Sequence, residues 1–477
     1  MMDWEHLLCS ERRRTYQKQG GSSDNRSEFE KDYHRIIGSA SFRRLQDKTQ
    51  VFPLDKSDFI RTRLTHSLEV SSIAKSLGQS VGAGLRQAGY ITAAQAAGIE
   101  DILLCSGLLH DIGNPPFGHF GETVIRDWFR ENLDKIEYKG KPVSEWLTEQ
   151  MKEDLYHFEG NAQSFRVVTK LHYLVDAYGM NLTKALLNTI IKYPVPSNGI
   201  DKESGDICTK KMGYFYADRE CFAQVVNATG AANRRHPLCY LLEAADDIAY
   251  STADLEDGFK KGILSFSQLQ YLLEHNHHEE KKDQEIYRNC TYAKERLLKL
   301  YQRAIRNNEP DPELYAVQNW VISMQGVMIR SVTESFLKNY EALMSGEQKT
   351  DLFAGTPSEV LIDVLKEIAF ENVFNDKGIV KLELAASTII NFLLTEFVNA
   401  AVKYDTDVKM TQKEKKLMDM ISPNYKRVYK LSTEILPDSE SGEAERLYLR
   451  MLLVTDSISG MTDHYAKSLY QELNGIY

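Results

Sequence analysis

Cysteine, proline and net positive charge are all in short supply in this chain. The six cysteines among 477 residues stand at 9, 105, 208, 221, 239 and 290, and none forms a C-x-x-C pair. In a chain this long that argues against a disulfide framework and for reduced thiols in a cytosolic protein. Only 12 prolines punctuate the sequence, and alternating runs of strand type are few. Basic residues number 58 against 68 acidic ones, a net charge of −10. That excludes a general duplex-DNA binder, which is normally basic, but leaves room for a local basic pocket. No long apolar run follows the charged start "MMDWEHLLCSERRRTYQKQGG", so no secretory signal is expected. The nearest approach to a membrane span is "AASTIINFLLTEFVNAAV", residues 385–402. Asn391, Glu396 and Asn399 interrupt it, which predicts an amphipathic core helix and no membrane partner.

What is present is ordinary globular material: 42% hydrophobic and 26% charged residues. Residues 1–35 form a polar N-terminal segment, with "GGSSDNRSE" expected to be mobile or clamp-like. From "EFEKDYHRIIGSASFRRL" onward helical periodicity dominates, and no internal repeat is found. The spacing predicts an all-α fold with at most one short β-hairpin, over "GDICTKKMGYFYADRE", residues 205–220. "EHNHHEEKKDQE" at 274–285 is expected as a solvated turn. Helices resume to the end, with breaks near "SGEQKTDLFAGTPSE" and "LPDSESGEAE". The expected division is a core over 36–265 and a helical C-terminal region over 266–477.

Three segments carry polar groups into apolar surroundings. In "RTRLTHSLEVSSIAKSLGQSV", His66 falls on one stripe with Val70, Ile73, Leu77 and Val81. In "DILLCSGLLHDIGNPPFGHFGE" a greasy run ends in His110 and Asp111. In "CYLLEAADDIAYSTADLEDGF", Leu242, Asp246, Tyr250 and Asp254 recur every four residues along one helix face. Taken alone, His66 fits a satisfied core histidine, and Asp246 and Asp247 fit surface acids. Taken together they need a cation, because an uncompensated buried carboxylate costs several kcal/mol. Two imidazoles and two carboxylates suit Mn²⁺, Mg²⁺ or Fe²⁺, and also accommodate Zn²⁺.

"RLTHS", "LLHDIGNPPFGHFGE", "HFEGNAQ" and "EAADDIAY" resemble the signature of the HD-domain superfamily. More closely, with "SFRRLQDKTQVFPL" and "IIKYP", they resemble its deoxyguanosinetriphosphate triphosphohydrolase (dGTPase) family. The similar segments run from about residue 36 to 260. The resemblance implies an HD-domain helical core and a divalent metal, Mn²⁺ or Mg²⁺ first and Fe²⁺, Ni²⁺, Co²⁺ or Zn²⁺ next. It implies His66, His110, Asp111 and Asp246 as metal ligands, and His119 with Glu122 as the catalytic pair. Those two meet only if their turn is helical; otherwise His119 is a loop histidine beside Pro115 and Pro116. Arg63, Lys192 and Tyr193 would hold phosphates. Gln50 and Asp254 would bond the 3′-hydroxyl, and Tyr250 would stack under the deoxyribose. Arg43, Arg44, Arg234 and Arg235 are weaker phosphate candidates. Of the paired acids, Asp246 is in line with Tyr250 and Asp254, whereas Asp247 points about 100° away.

The implied reaction takes a deoxynucleoside triphosphate, dGTP foremost, to deoxynucleoside and inorganic triphosphate. The implied partners are that substrate, further copies of the chain, and a nucleotide or single-stranded DNA effector. Rival readings are an HD phosphohydrolase of another nucleotide, a nucleotide or single-strand sensor with a relict site, and a helical scaffold with a stabilising metal.

Overall fold

The computed structural model describes residues 1–14, 24–54, 57, 59–173 and 175–476. The expected mobile stretch "GGSSDNRSE" therefore lies partly, at 20–23, outside the described residues.

The chain is all-α as its periodicity predicts. Each helix that carries site residues has a local reason to start where it does. Arg63–Gln87 begins at Thr62, whose side chain and that of Thr65 cap each other's backbone N–H groups. Ala93–Leu109 begins at Thr92 with the same reciprocal arrangement to Gln95, and it ends directly at the His110–Asp111 pair. Pro237–Lys260 has Pro in its first turn, where the missing N–H costs nothing, and His236 accepts from Leu238 N.

These three helices pack side by side. A Cβ at Gly107 would stand 2.5 Å from Ser71 Cα, so glycine is what lets the second helix approach the first. The long helix Pro312–Lys338, from the C-terminal half, covers both Arg63–Gln87 and Pro237–Lys260. Its Trp320, Met324 and Phe336 join Leu77, Leu103 and Leu241 in one apolar core. A second core joins Gly118–Asn132, Lys377–Ala401 and Glu440–Ser459 through Ile125, Phe129, Ile390, Leu394 and Leu452. Each such burial contributes about 1.5–3 kcal/mol.

Lys377–Ala401 is the one helix among the described residues long and apolar enough to cross a membrane, with a mean hydropathy of 1.4 over its best window. Ile389, Ile390, Leu393, Leu394 and Phe397 spend that apolarity on the second core, while Val380 and Leu384 are exposed.

The hairpin expected over 205–220 is not there. That stretch makes two short 3-10 turns, Ile207–Thr209 and Tyr216–Asp218. Its buried anchors, Met212 and Phe215, are spaced by three rather than two, and Gly213 N bonds Val195 O as the segment runs past "KYP". The two-stranded sheet lies instead at Glu137–Tyr138 and Lys141–Pro142. Lys139 and Gly140 turn it, both with positive φ, as a tight two-residue hairpin requires. The polar stretch 274–285 is largely exposed, as expected of a solvated turn.

Candidate active site

The start of Arg63–Gln87, the end of Ala93–Leu109, the middle of Pro237–Lys260 and the start of Gly118–Asn132 open onto a cleft of about 400 Å³. Gln50, Arg63, His66, His110, Asp111, His119, Lys192, Tyr193, Asp246, Tyr250 and Asp254 all line it. Glu122 is buried directly behind His119.

His66, His110 and Asp111 bring three donor atoms within 4.8 Å of one another. Asp246 joins them: its Oδ1 lies 3.2 Å from His66 Nε2 and 3.6 Å from His110 Nε2. His110 Nδ1 faces Gly107 O at 2.8 Å, so that nitrogen carries the proton and donates. Its Nε2 is left as a lone pair, buried without a partner and 3.5 Å from Asp111 Oδ2. Lone pairs facing carboxylate oxygens are a configuration that only a proton or a metal cation stabilises. The donor set thus fits a divalent ion, and the second nitrogen of His110 is already oriented by the backbone, as metal-ligating imidazoles usually are.

The electrostatics agree. Burial pushes the Asp111 carboxyl up, but Arg63 and the two histidines overcome it and hold it far below the usual range. Asp246 is lowered in the same way, against burial, by His110 and His66. Burial disfavours the His66 imidazolium, and Asp246 and Asp111 more than compensate.

Two consecutive left-handed residues, Phe117 at φ 63° and Gly118 at φ 62°, turn the chain after "HDIGNPP". A Cβ at Gly118 would come 2.3 Å from Arg63 Nη2, so a larger residue would be strained at this φ and would push the guanidinium aside. Helix Gly118–Asn132 starts at this turn, which makes the 119–122 spacing helical and lets the pair meet. His119 Nδ1 lies 3.2 Å from Glu122 Oε2 and donates to it, leaving Nε2 for the cleft, where the ring is 73% exposed. Glu122 is fixed in turn by Gly160 N at 2.9 Å and Arg126 Nη2 at 3.1 Å. The charge of Glu122 raises the His119 pKa.

Arg63 lines the cleft beside the donor cluster, bonded to Asp111. Lys192 pairs with Glu243 at 3.0 Å, and Arg235 lies behind both, bonded to Lys192 O and Glu243. Arg43 and Arg44 bond Gly38 O and Tyr425 away from the cleft. Gln50 Oε1 and Asp254 Oδ1 are buried without partners. Asp247 is bridged to Lys366 at 2.9 Å, and Lys366 also lies over the Tyr250 ring at 5.6 Å.

A family model for the HD domain matches residues 63–160. A deoxyguanosinetriphosphate triphosphohydrolase-like protein of Listeria monocytogenes is 49% identical over all of both chains. One of Synechocystis is 34% identical, again over all of both. A deoxyguanosinetriphosphate triphosphohydrolase of Salmonella schwarzengrund is 32% identical over 94% of each chain. The chain belongs to the deoxyguanosinetriphosphate triphosphohydrolase family. Like the enzymes of that family it is a hydrolase.

For a triphosphohydrolase-family protein, the cleft holds more than the motifs signalled. Lys211 lines it and pairs with Glu159 at 2.9 Å, and Glu159 also takes Arg126 at 3.0 Å. Asn161 donates to Glu159 at 2.8 Å. "HFEGNAQ" and the paired lysines of "TKKMGY" were the available signals. Phe374, from the C-terminal half, completes the wall.

Proposed function

We propose that the protein hydrolyses a deoxynucleoside triphosphate, dGTP foremost, between the 5′ oxygen and the α-phosphorus, releasing deoxynucleoside and inorganic triphosphate. The observation that carries this is one cleft combining four metal-type donors, the His119–Glu122 pair and the cationic side chains Lys192 and Lys211.

His66, His110, Asp111 and Asp246 are assigned to a divalent ion, Mn²⁺ or Mg²⁺ first. When bound, that ion supplies positive charge against the α-phosphate oxygens, which otherwise repel a nucleophile. Arg63 braces Asp111 and adds charge on the phosphate side. Lys192, Tyr193 and Lys211 take the remaining phosphate oxygens. His119, protonated at Nε2, gives its proton to the departing 5′ oxygen, with Glu122 fixing the tautomer and supporting the charged ring. At the other end Tyr250 lies under the sugar, and the unpartnered atoms of Gln50 and Asp254 await a hydroxyl. A ribose 2′-hydroxyl would be excluded there by contact and by lack of a partner.

The same reading treats 36–265 as the chemical core and 266–477 as the region that completes the pocket, supported by Lys366 and Phe374. It includes a homo-oligomer, a nucleotide or single-stranded DNA effector and a cytoplasmic location. The test is incubation with each dNTP and Mn²⁺ or Mg²⁺, separating triphosphate from diphosphate. Diphosphate and dNMP as the sole products would refute the bond assignment.

A further inference from the structure

Beside the active cleft lies a second cavity, of about 510 Å³, which shares Tyr193 and Lys211 with the cleft and whose other lining residues carry none of these roles. Its walls carry Arg126, Arg130, Lys202, Lys210 and Lys211 against one carboxylate, Glu159. Five cations to one acid is a sharp local exception in a chain of net charge −10. A concave surface with that balance concentrates anions. Glu159 occupies Arg126 and Lys211, and Arg130 lies 3.2 Å from Asp127, while Lys202 and Lys210 are exposed.

The position of the cavity narrows its ligand. It shares Tyr193 and Lys211 with the active cleft, and none of Gln50, Tyr250 or Asp254. It therefore adjoins the cationic end of the cleft and not the sugar end. Its lining includes no Phe or Trp; its one tyrosine is only 6% exposed, and its one histidine, His157, is half-buried and tied to Glu153 at 3.0 Å. Single-stranded nucleic acid is normally held by stacking its bases on exposed aromatic faces between cations. This cavity has the cations without the faces. An inorganic polyphosphate has the charge and needs no stacking.

We infer that this cavity binds inorganic triphosphate, the polyanion that the proposed reaction leaves at the Lys192–Lys211 end, and serves as its way out of the cleft. The inference rests on that reaction for the identity of the ligand. A departing triphosphate passes from Lys211, common to both cavities, to Lys202 and Lys210. It meets Glu159 on the way, the one acid that limits how tightly the product is retained.

The test uses the full chain with Mg²⁺ held constant. Inorganic triphosphate, orthophosphate and a short single-stranded oligodeoxynucleotide are titrated calorimetrically into wild type and into Lys202→Glu/Lys210→Glu. The milder Lys202→Ala/Lys210→Ala pair covers the case in which charge reversal impairs folding. The charge reversal is expected to weaken triphosphate binding about tenfold or more, the loss of two charge-assisted contacts, with dNTP KM within about twofold. Unchanged triphosphate affinity would overturn the inference. So would a KM that rises in step, which would make these lysines part of substrate binding. Oligonucleotide binding that is lost in the variants, and that triphosphate does not displace, would assign the cavity to nucleic acid instead. Product analysis of wild type stands apart: absence of released triphosphate refutes the reaction, whereas the titration tests the cavity.

Discussion

The carboxylate of Asp463 accepts the backbone N–H of Phe117 at 2.9 Å, across 346 residues of sequence. Its other oxygen accepts from Thr49 N, also at 2.9 Å, next to Gln50. Phe117 is the left-handed residue at the turn that launches His119, a conformation that costs a non-glycine residue about 1–2 kcal/mol. Close by, the buried Lys48 donates to Asn114 O and Ser459 O. The start of the last helix thus holds both the catalytic turn and the Gln50 segment.

Asp463→Ala should lower kcat about tenfold or more, since misplacement of a catalytic group by an ångström costs up to about 10²-fold. Bound metal should change little, KM should rise as the Gln50 segment loses its Thr49 anchor, and Asp463→Asn, which keeps one acceptor, should be milder. Steady-state kinetics with metal analysis checks this; two variants within twofold of wild type would remove the positioning role.

His119→Ala should retain fold and metal and lose about 10²–10⁴-fold in turnover, the usual worth of general acid–base help. Because Glu122 raises the His119 pKa, the protonated acid persists to higher pH, and kcat should fall only as pH climbs through that raised value. Glu122→Gln removes the charge, so the alkaline limb should move to lower pH. A limb that stays put means another group supplies the proton.

Asp246→Ala should strip most of the metal, whereas Asp247→Ala should keep it, because Asp247 is committed to Lys366. Elemental analysis of both purified variants, with circular dichroism for folding, decides between them. Retention in the first and loss in the second would displace the ligand by one residue and take the Tyr250 assignment with it.

A dNTP should be cleaved with far higher kcat/KM than its ribonucleotide, and a 2′,3′-dideoxynucleotide should be poor as well. Equal rates for dGTP and GTP would remove the steric role of Tyr250. Efficient cleavage of the dideoxy compound would remove the roles of Gln50 and Asp254.

Burial, with Asp257 and Asp246 adding to it, pushes the Asp254 carboxyl up to about 7. A raised folded pKa means stability that is complete below the ordinary carboxylate range and declines as pH rises to about 7. Asp254→Asn carries no such proton. Without added metal, wild type should therefore lose Tm relative to the variant between about pH 4 and 7. Parallel melting curves for the two proteins across that window would refute the burial argument.

Much of this cleft is legible in the sequence because His66 and Asp246 sit on regular helices and His110 and Asp111 follow directly on the end of one. The stripe of His66 with Val70 and Leu77, and the four-residue beat of Asp246, Tyr250 and Asp254, are periodic signals that survive folding unchanged. The 205–220 hairpin failed because the stretch folds into two 3-10 turns whose buried Met212 and Phe215 are three apart, not two. Arg63 was expected on phosphate; it lines the cleft and also bonds Asp111, a partner that spacing alone does not reveal. Asp463 and Lys48 were out of reach for a different reason. Lys48 reaches Asn114 across 66 residues and Ser459 across 411, Asp463 reaches Phe117 and Thr49 across 346 and 414, and nothing local in "MTDHY" or "QDKTQ" marks partners so far away.

That separation also orders events in time. Ribosomal synthesis delivers every proposed metal ligand by residue 246, long before Asp463 emerges to hold the His119 turn. Closing a loop of several hundred residues is slow relative to forming the helices themselves. A nascent chain, or one truncated before helix Asp463–Leu473, would carry the proposed metal ligands without a set His119 turn. In that order of events the His119 turn is fixed only after the segment that carries Asp463 has been made.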